Sequence, residues 1–112
     1  MPCLTIYIDQ KLDKITENLD LEKIELKLNQ ILVKTLNAKE ENCQIIWINS
    51  KIFASNYKIY CELKYRQNDY RDNFKLEECL NKMGDVMKVY FKVKLRLRSF
   101  GINQLSIKAL DL

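Results

Sequence analysis

Apolar and polar positions change period several times along the chain, and each change predicts an element. Cys3-Leu4-Thr5-Ile6-Tyr7-Ile8 is short, rich in β-branched and aromatic residues, and ends at Asp9-Gln10, which predicts a strand. Residues 9–20 are polar and include Asp13, Thr16, Asn18 and Asp20, all turn or cap formers. Asp20 is suited to cap a following helix, because its carboxylate can accept amide protons of the first turn. Leu21, Ile24, Leu28, Ile31, Leu32 and Leu36 recur at spacings of three and four and predict a helix that stops near Asn37.

Cys43-Gln44-Ile45-Ile46-Trp47-Ile48 is apolar at consecutive positions, the pattern of a strand buried on both faces. Asn49-Ser50-Lys51 and Ala54-Ser55-Asn56 read as loop. Tyr57, Ile59, Cys61, Leu63 and Tyr65 alternate with Lys58, Glu62, Lys64 and Arg66, predicting a half-exposed strand. Residues 72–98 satisfy two periods. Leu76, Leu80, Met83, Met87 and Tyr90 form a helical stripe, yet Val89, Phe91, Val93, Leu95 and Leu97 alternate with cations. A strand of about 25 residues is unreasonable, so length favours a helix over 72–98, weakened at Gly84 and stopped at Ser99-Phe100-Gly101. Residues 105–110 are expected to close the chain as a strand.

The order is thus β-α-β, a loop, then β-α-β, within a single domain spanning 1–112. Two right-handed βαβ units side by side give a four-stranded α+β sheet with both helices on one face. The other face is then bare, and self-association is the simplest way to cover it.

Composition removes whole classes of chemistry. The chain has 112 residues, 47% hydrophobic, with two glycines and one proline, which excludes a disordered or linker-rich polypeptide. It contains no histidine, so imidazole catalysis, Ser-His-Asp triads and most zinc sites are out. Cys3, Cys43, Cys61 and Cys79 form no C-x-x-C pair and are expected to be small buried hydrophobes of a reduced, cytoplasmic protein. The first residues lack a signal peptide's basic start, and the longest aliphatic/aromatic run, Ile45 to Ile48, is far too short to span a membrane. Glu40-Glu41 and Glu77-Glu78 are sequence neighbours, which point apart and make poor acid/base pairs.

The net charge of +4 names no partner by itself. Lys88, Lys92, Lys94, Arg96 and Arg98, with Tyr90 and Phe91 interleaved, would make a basic stripe on a helix able to follow phosphates. Cations late in a helix also offset its dipole and keep the outer face wet, and this second reading is preferred over a nucleic-acid partner.

Pro2 opens directly into the first apolar strand. Removal of Met1, usual before proline, would expose it as a secondary amine. In an apolar pocket beside cations such a nitrogen stays unprotonated and can take a proton from carbon next to a carbonyl. Met1-Pro2 with Leu4 and Ile6, Ile45-Ile46-Trp47-Ile48, Asn56-Tyr57, and the ending Leu105-Ser106-Ile107 through Leu110-Asp111-Leu112 resemble the tautomerase superfamily. Within it the likeness is to the 5-carboxymethyl-2-hydroxymuconate isomerases, with macrophage migration inhibitory factor as a cousin. It covers essentially the whole chain, by pattern rather than by long identities.

The resemblance implies a cofactor-independent homotrimer whose sheets line a central barrel. It further implies isomerisation of a keto or enol acid, with Pro2 as general base. The family's arginines at the start of the second strand are replaced here by Asn42-Cys43-Gln44, and the glycines after the third strand by Gln67-Asn68-Asp69. Lys39 stands six residues ahead of Ile45, where the family cousin places its active-site lysine, and is a candidate replacement cation. Lys11, Lys64 and Arg66 are further candidates, and Gln44 is a candidate substrate contact.

Overall fold

The computed structural model describes residues 2–53 and 55–112. Its elements are β1 (Cys3–Asp9), α1 (Asp13–Glu17), α2 (Leu21–Leu36), β2 (Gln44–Ser50), β3 (Ile59–Arg66), α3 (Asn73–Phe91) and β4 (Leu95–Ile102). Single 3-10 turns lie at Gln10–Leu12, Glu40–Asn42 and Gln104–Ser106.

The strands form one sheet in the order β2-β1-β3-β4. β1 runs parallel to β2 and antiparallel to β3, which runs parallel to β4. The two βαβ units therefore lie side by side, joined through their first strands. Leu4, Ile6 and Ile8 of β1 and Ile59, Cys61 and Leu63 of β3 share one buried cluster with Ile24, Leu28, Leu32 and Leu36 of α2 and with Met83, Met87 and Phe91 of α3. Both long helices thus cover the same sheet face. Trp47 of β2 joins them by donating its indole N–H to Glu25 Oε1 at 2.7 Å, with its ring 6.3 Å from Phe91.

Capping sets the helix boundaries. Asp20 accepts the Lys23 N–H at 3.3 Å and Asp72 accepts the Lys75 N–H at 2.9 Å, satisfying amides that a helix start leaves unpaired. α2 stops at Asn37, in the left-handed conformation with φ 51°. The segment after β1, expected as turn and cap residues only, folds into a 3-10 turn and the short α1.

Several expectations are corrected. The helix over 72–98 ends at Phe91, where Lys92 takes a left-handed cap (φ 55°) and donates its N–H to the Lys88 carbonyl at 3.0 Å. The alternating residues after it form β4, so Ser99-Phe100-Gly101 lies inside a strand and is no helix stop. Lys88, Lys92, Arg96 and Arg98 consequently form no single stripe, since they are divided among a helix end, a cap and a strand. Gly84 is buried in α3, where a Cβ would come within 3.2 Å of Leu97 Cδ1; its missing side chain lets β4 approach the helix.

Residues 105–110 form no strand. They comprise the end of a 3-10 turn and irregular chain, with Leu105 and Leu110 exposed. β2 is an edge strand, and none of Ile45 to Ile48 is fully buried. Register explains this: Ile45 and Trp47 pair with the core residues Leu4 and Ile6, while Ile46 and Ile48 pair with Thr5 and Tyr7, on the face without helices. β2 also extends through Asn49 and Ser50, expected as loop, and β3 starts at Ile59 rather than Tyr57. Of the second expected loop, Ala54 lies outside the described residues, and Ser55 and Asn56 are in no helix or strand.

The bare face appears as expected. On it Thr5, Tyr7, Ile46, Ile48, Tyr60 and Glu62 are half-buried, and Arg96, Arg98 and Phe100 are exposed. Among the described residues, no helix is long and apolar enough to cross a membrane.

Candidate active site

Pro2 immediately precedes β1, a central strand, so it sits at the middle of one sheet end. It is buried, and its carbonyl accepts the Gln44 N–H at 3.0 Å. Register then fixes the neighbours. Cys3 pairs with Gln44 on one side and with Lys64 on the other. The Cys3 thiol donates to Gln44 Oε1 at 3.9 Å, a weak sulfur contact that turns the Gln44 amide toward β1. Lys64 is exposed and ion-pairs with Glu62 at 3.6 Å.

Lys39 reaches the same sheet end by another route. α2 returns the chain from the far end of β1, and Lys39 precedes the turn that leads into β2. Its carbonyl accepts the Asn42 N–H at 2.9 Å and the Cys43 thiol at 3.5 Å, while its side chain is exposed. The fold therefore gathers Pro2, Gln44, Lys39 and Lys64 at one end of the sheet. Lys11 is not among them. It lies beyond the other end of the seven-residue β1, roughly 20 Å or more away in the same chain.

Arg71 is a cation at the Pro2 end that the sequence did not signal. Its Nε donates to the Leu36 carbonyl at 3.0 Å and Nη1 to the Arg66 carbonyl at 2.9 Å. The half-buried guanidinium thereby ties the end of α2 to the end of β3. Burial raises the nearby Cys43 thiol pKa above its ordinary value, with Arg71 opposing the rise and Glu40 adding to it. Cys43 is thus a neutral thiol near neutral pH, not an activated nucleophile. The buried Cys61, held under both helices, is pushed up to about 12 by desolvation. Among the described residues no cluster of three His, Cys, Asp or Glu side chains is placed to hold a metal ion.

A hollow of about 710 Å³ lies on the open face toward the other end of β1, lined in part by Tyr7, Tyr60, Arg96 and Arg98. None of the residues singled out from the sequence as base or substrate contacts lines it.

No family pattern matches the chain, and no curated protein does. Solved structures do. The chain superposes on 5-carboxymethyl-2-hydroxymuconate delta-isomerase with a TM-score of 0.70 at 10% identity, over 100% of this chain and 88% of the other. A member of the cis-3-chloroacrylic acid dehalogenase family gives 0.78 at 8% identity, over 96% and 79%. A fused wild-type 4-OT, a symmetric trimer, gives 0.71 at 10% identity, over 96% and 90%. At such identities the likeness is one of backbone architecture, and on that ground this chain has the tautomerase-superfamily fold.

Proposed function

We propose that the protein is a cofactor-independent isomerase that catalyses 1,3-proton transfer on an enol or unsaturated keto acid, with Pro2 as general base. The observation that carries this reading is the burial of Pro2 at the head of the central strand β1, with Gln44 and Lys64 as the register partners of the next residue, Cys3. Removal of Met1, which lies outside the described residues, would leave the Pro2 nitrogen as a secondary amine. Desolvation and the surrounding cations both disfavour its protonated form, so it would be a free base near neutral pH. From an unsaturated keto acid it would take a proton from the carbon beside the carbonyl and return it two carbons away; from an enol acid it would take the hydroxyl proton and deliver one to the double-bond carbon. Lys39 or Lys64 would steady the negative charge on the enolate oxygen or on the carboxylate, with Gln44 as a neutral donor beside them.

The fold supports this reading, since its structural neighbours include a muconate isomerase and a member of a dehalogenase family. A homotrimer is part of the proposal, supported by the trimeric neighbours and by the bare sheet face. Lys11, remote from Pro2 in its own chain, would join the site only from a neighbouring subunit. A cytoplasmic location is proposed from the free thiols.

The test is ketonisation of phenylpyruvate enol or 2-hydroxymuconate, followed by absorbance. Pro2→Ala is expected to lower the rate by about 100-fold or more; an unchanged rate would remove Pro2 from the mechanism. A second reading, a tautomerase-fold module that binds a ligand without turnover, is favoured by one observation. The start of β2 offers Cys43-Gln44 and no arginine, leaving a substrate carboxylate without a bidentate partner there. A folded protein inactive on every enol would support it.

A further inference from the structure

The groove between α2 and α3 lies on the side of the sheet opposite the bare face. It therefore stays open both in a single chain and in a ring lined by the sheets. α2 leads from the end of β1 to the start of β2, and α3 from the end of β3 to the start of β4. Because β1 and β3 are antiparallel, the two helices are antiparallel as well.

Contacts fix how the helices align. Lys27 of α2 donates Nζ to Tyr90 Oη of α3 at 2.7 Å and lies 5.0 Å from that ring's centroid, which orients the ammonium. One turn further along α2 and one turn back along α3, Ile31 and Val86 come level. Another turn brings Lys34 level with Lys82. Lys27, Ile31, Lys34, Lys82 and Val86 all line one hollow of about 280 Å³.

Ile31 and Val86 are half-buried and form an apolar floor, whereas Lys27, Lys34 and Lys82 are exposed and form its rim. Among the described residues the ion pairs are Lys58 with Asp9 and Lys64 with Glu62, so no rim lysine has a carboxylate within ion-pairing distance. Glu78, one turn before Lys82, does not pair with it. Lys27 and Lys34 are seven residues apart, about 10 Å along the helix axis. The groove thus presents one cation, an apolar floor and then two cations, in that order.

We propose that this groove docks an acidic amphipathic helix of a partner protein. The helix lays apolar side chains on Ile31 and Val86. One carboxylate meets Lys27, and a second, seven residues on, sits between Lys34 and Lys82. Charge and spacing both select this partner, because one face of a helix repeats at i, i+3, i+4 and i+7. The hollow is smaller than the roughly 300 Å³ at which small-molecule sites begin, and suits anchor side chains better than a free ligand. A nucleic-acid strand fits less well, since its phosphates would pass the three lysines toward Glu78 and leave the apolar floor bare. A second copy laid groove on groove would bring lysine against lysine. The inference does not rest on the isomerase reading, because none of Pro2, Lys39, Gln44 and Lys64 lines the groove.

Fluorescence anisotropy of a labelled alanine-based helical peptide tests it, the peptide carrying two glutamates seven residues apart and leucines between them on the same face. Saturable binding at one peptide per chain is expected, with Ile31 and Val86 methyl signals shifting in the NMR spectrum. Replacing the leucines by alanine should weaken binding about tenfold or more, as loss of buried apolar surface. Moving the second glutamate two residues closer, off the shared face, should weaken it about threefold. Both changes are read on the unaltered protein, so the outcome does not depend on a variant folding. Lys27→Glu, Lys34→Glu and Lys82→Glu together should abolish binding of this peptide and confer binding of one with lysines in place of the glutamates. Absence of saturation at about 1 mM peptide would overturn the proposal, as would affinity indifferent to the leucines or to the glutamate spacing. Tighter binding of a deoxythymidine dodecamer than of the peptide would overturn it in favour of nucleic acid.

Discussion

A single neutral side chain fixes part of this protein's pH response. The Cys61 thiol, buried between β3 and the helices, has its pKa pushed up to about 12 from an ordinary 9.0 by desolvation. The folded state therefore keeps this proton when the unfolded chain has released it. Its contribution is whole below pH 9 and is lost as pH rises from 9 toward 12, amounting to about 1 kcal/mol by pH 10. Denaturant midpoints between pH 8 and 10.5 should fall less steeply in Cys61→Ala than in the wild type, although the variant is less stable throughout. Equal slopes would show that Cys61 does not carry this dependence. Burial makes the same residue a poor nucleophile, in keeping with the expectation that the cysteines serve as small hydrophobes. Cys79 is equally buried, whereas Cys3 and Cys43 are only half-buried.

Elements with one unambiguous period were legible in the sequence. α2 carried its i, i+3, i+4 spacing and its Asp20 cap in plain view, and β3 alternated cleanly from Ile59 to Leu63. The segment after Met87 was not legible, because Val89 to Leu97 satisfies the helical and the extended period at once. The residue that decides between them is Lys92, a left-handed cap at a position where Gly or Asn is the usual signal. Consecutive apolar residues misled at β2, since an edge strand can present isoleucines to a bare face as well as to a core. At the site, Pro2 was legible from the first dipeptide. Arg71 was not, because the Leu36 carbonyl it serves is 35 residues away. The Lys27–Lys34–Lys82 rim becomes visible only once the two helices lie side by side.

Gly101 shows how β4 depends on space rather than on backbone freedom. A Cβ there would meet Tyr65 Oη at 2.7 Å and Gln67 Cγ at 2.8 Å, and its φ is not positive. Gly101→Ala should cost about 1–3 kcal/mol in thermal or chemical unfolding, as overpacking does. Adding Tyr65→Phe, which removes the nearest atom, should return part of that loss; two strictly additive losses would contradict this steric origin.

At the scale of the whole molecule, the sheet face opposite the helices is left uncovered in the single chain. Ile46, Ile48 and Tyr7 are only half-covered there, and β2 and β4 leave two strand edges unpaired. Light scattering should give the mass of three chains, as expected if this face lines a closed ring. A monomer at micromolar concentration would contradict the trimer. Such a ring would also bear on the proposed catalysis, since Lys11 could approach a proline only from another subunit.

The proton-transfer proposal turns on the charge of one nitrogen, and the sequence makes that nitrogen uniquely observable because the chain contains a single proline. Protein labelled with ¹⁵N-proline should give one resonance that titrates with an apparent pKa at or below about 7.7, the ordinary value for an α-amino group. A resonance that does not move with pH, as for a proline still acylated by Met1, or one that titrates well above 8, would contradict a base that is free at neutral pH.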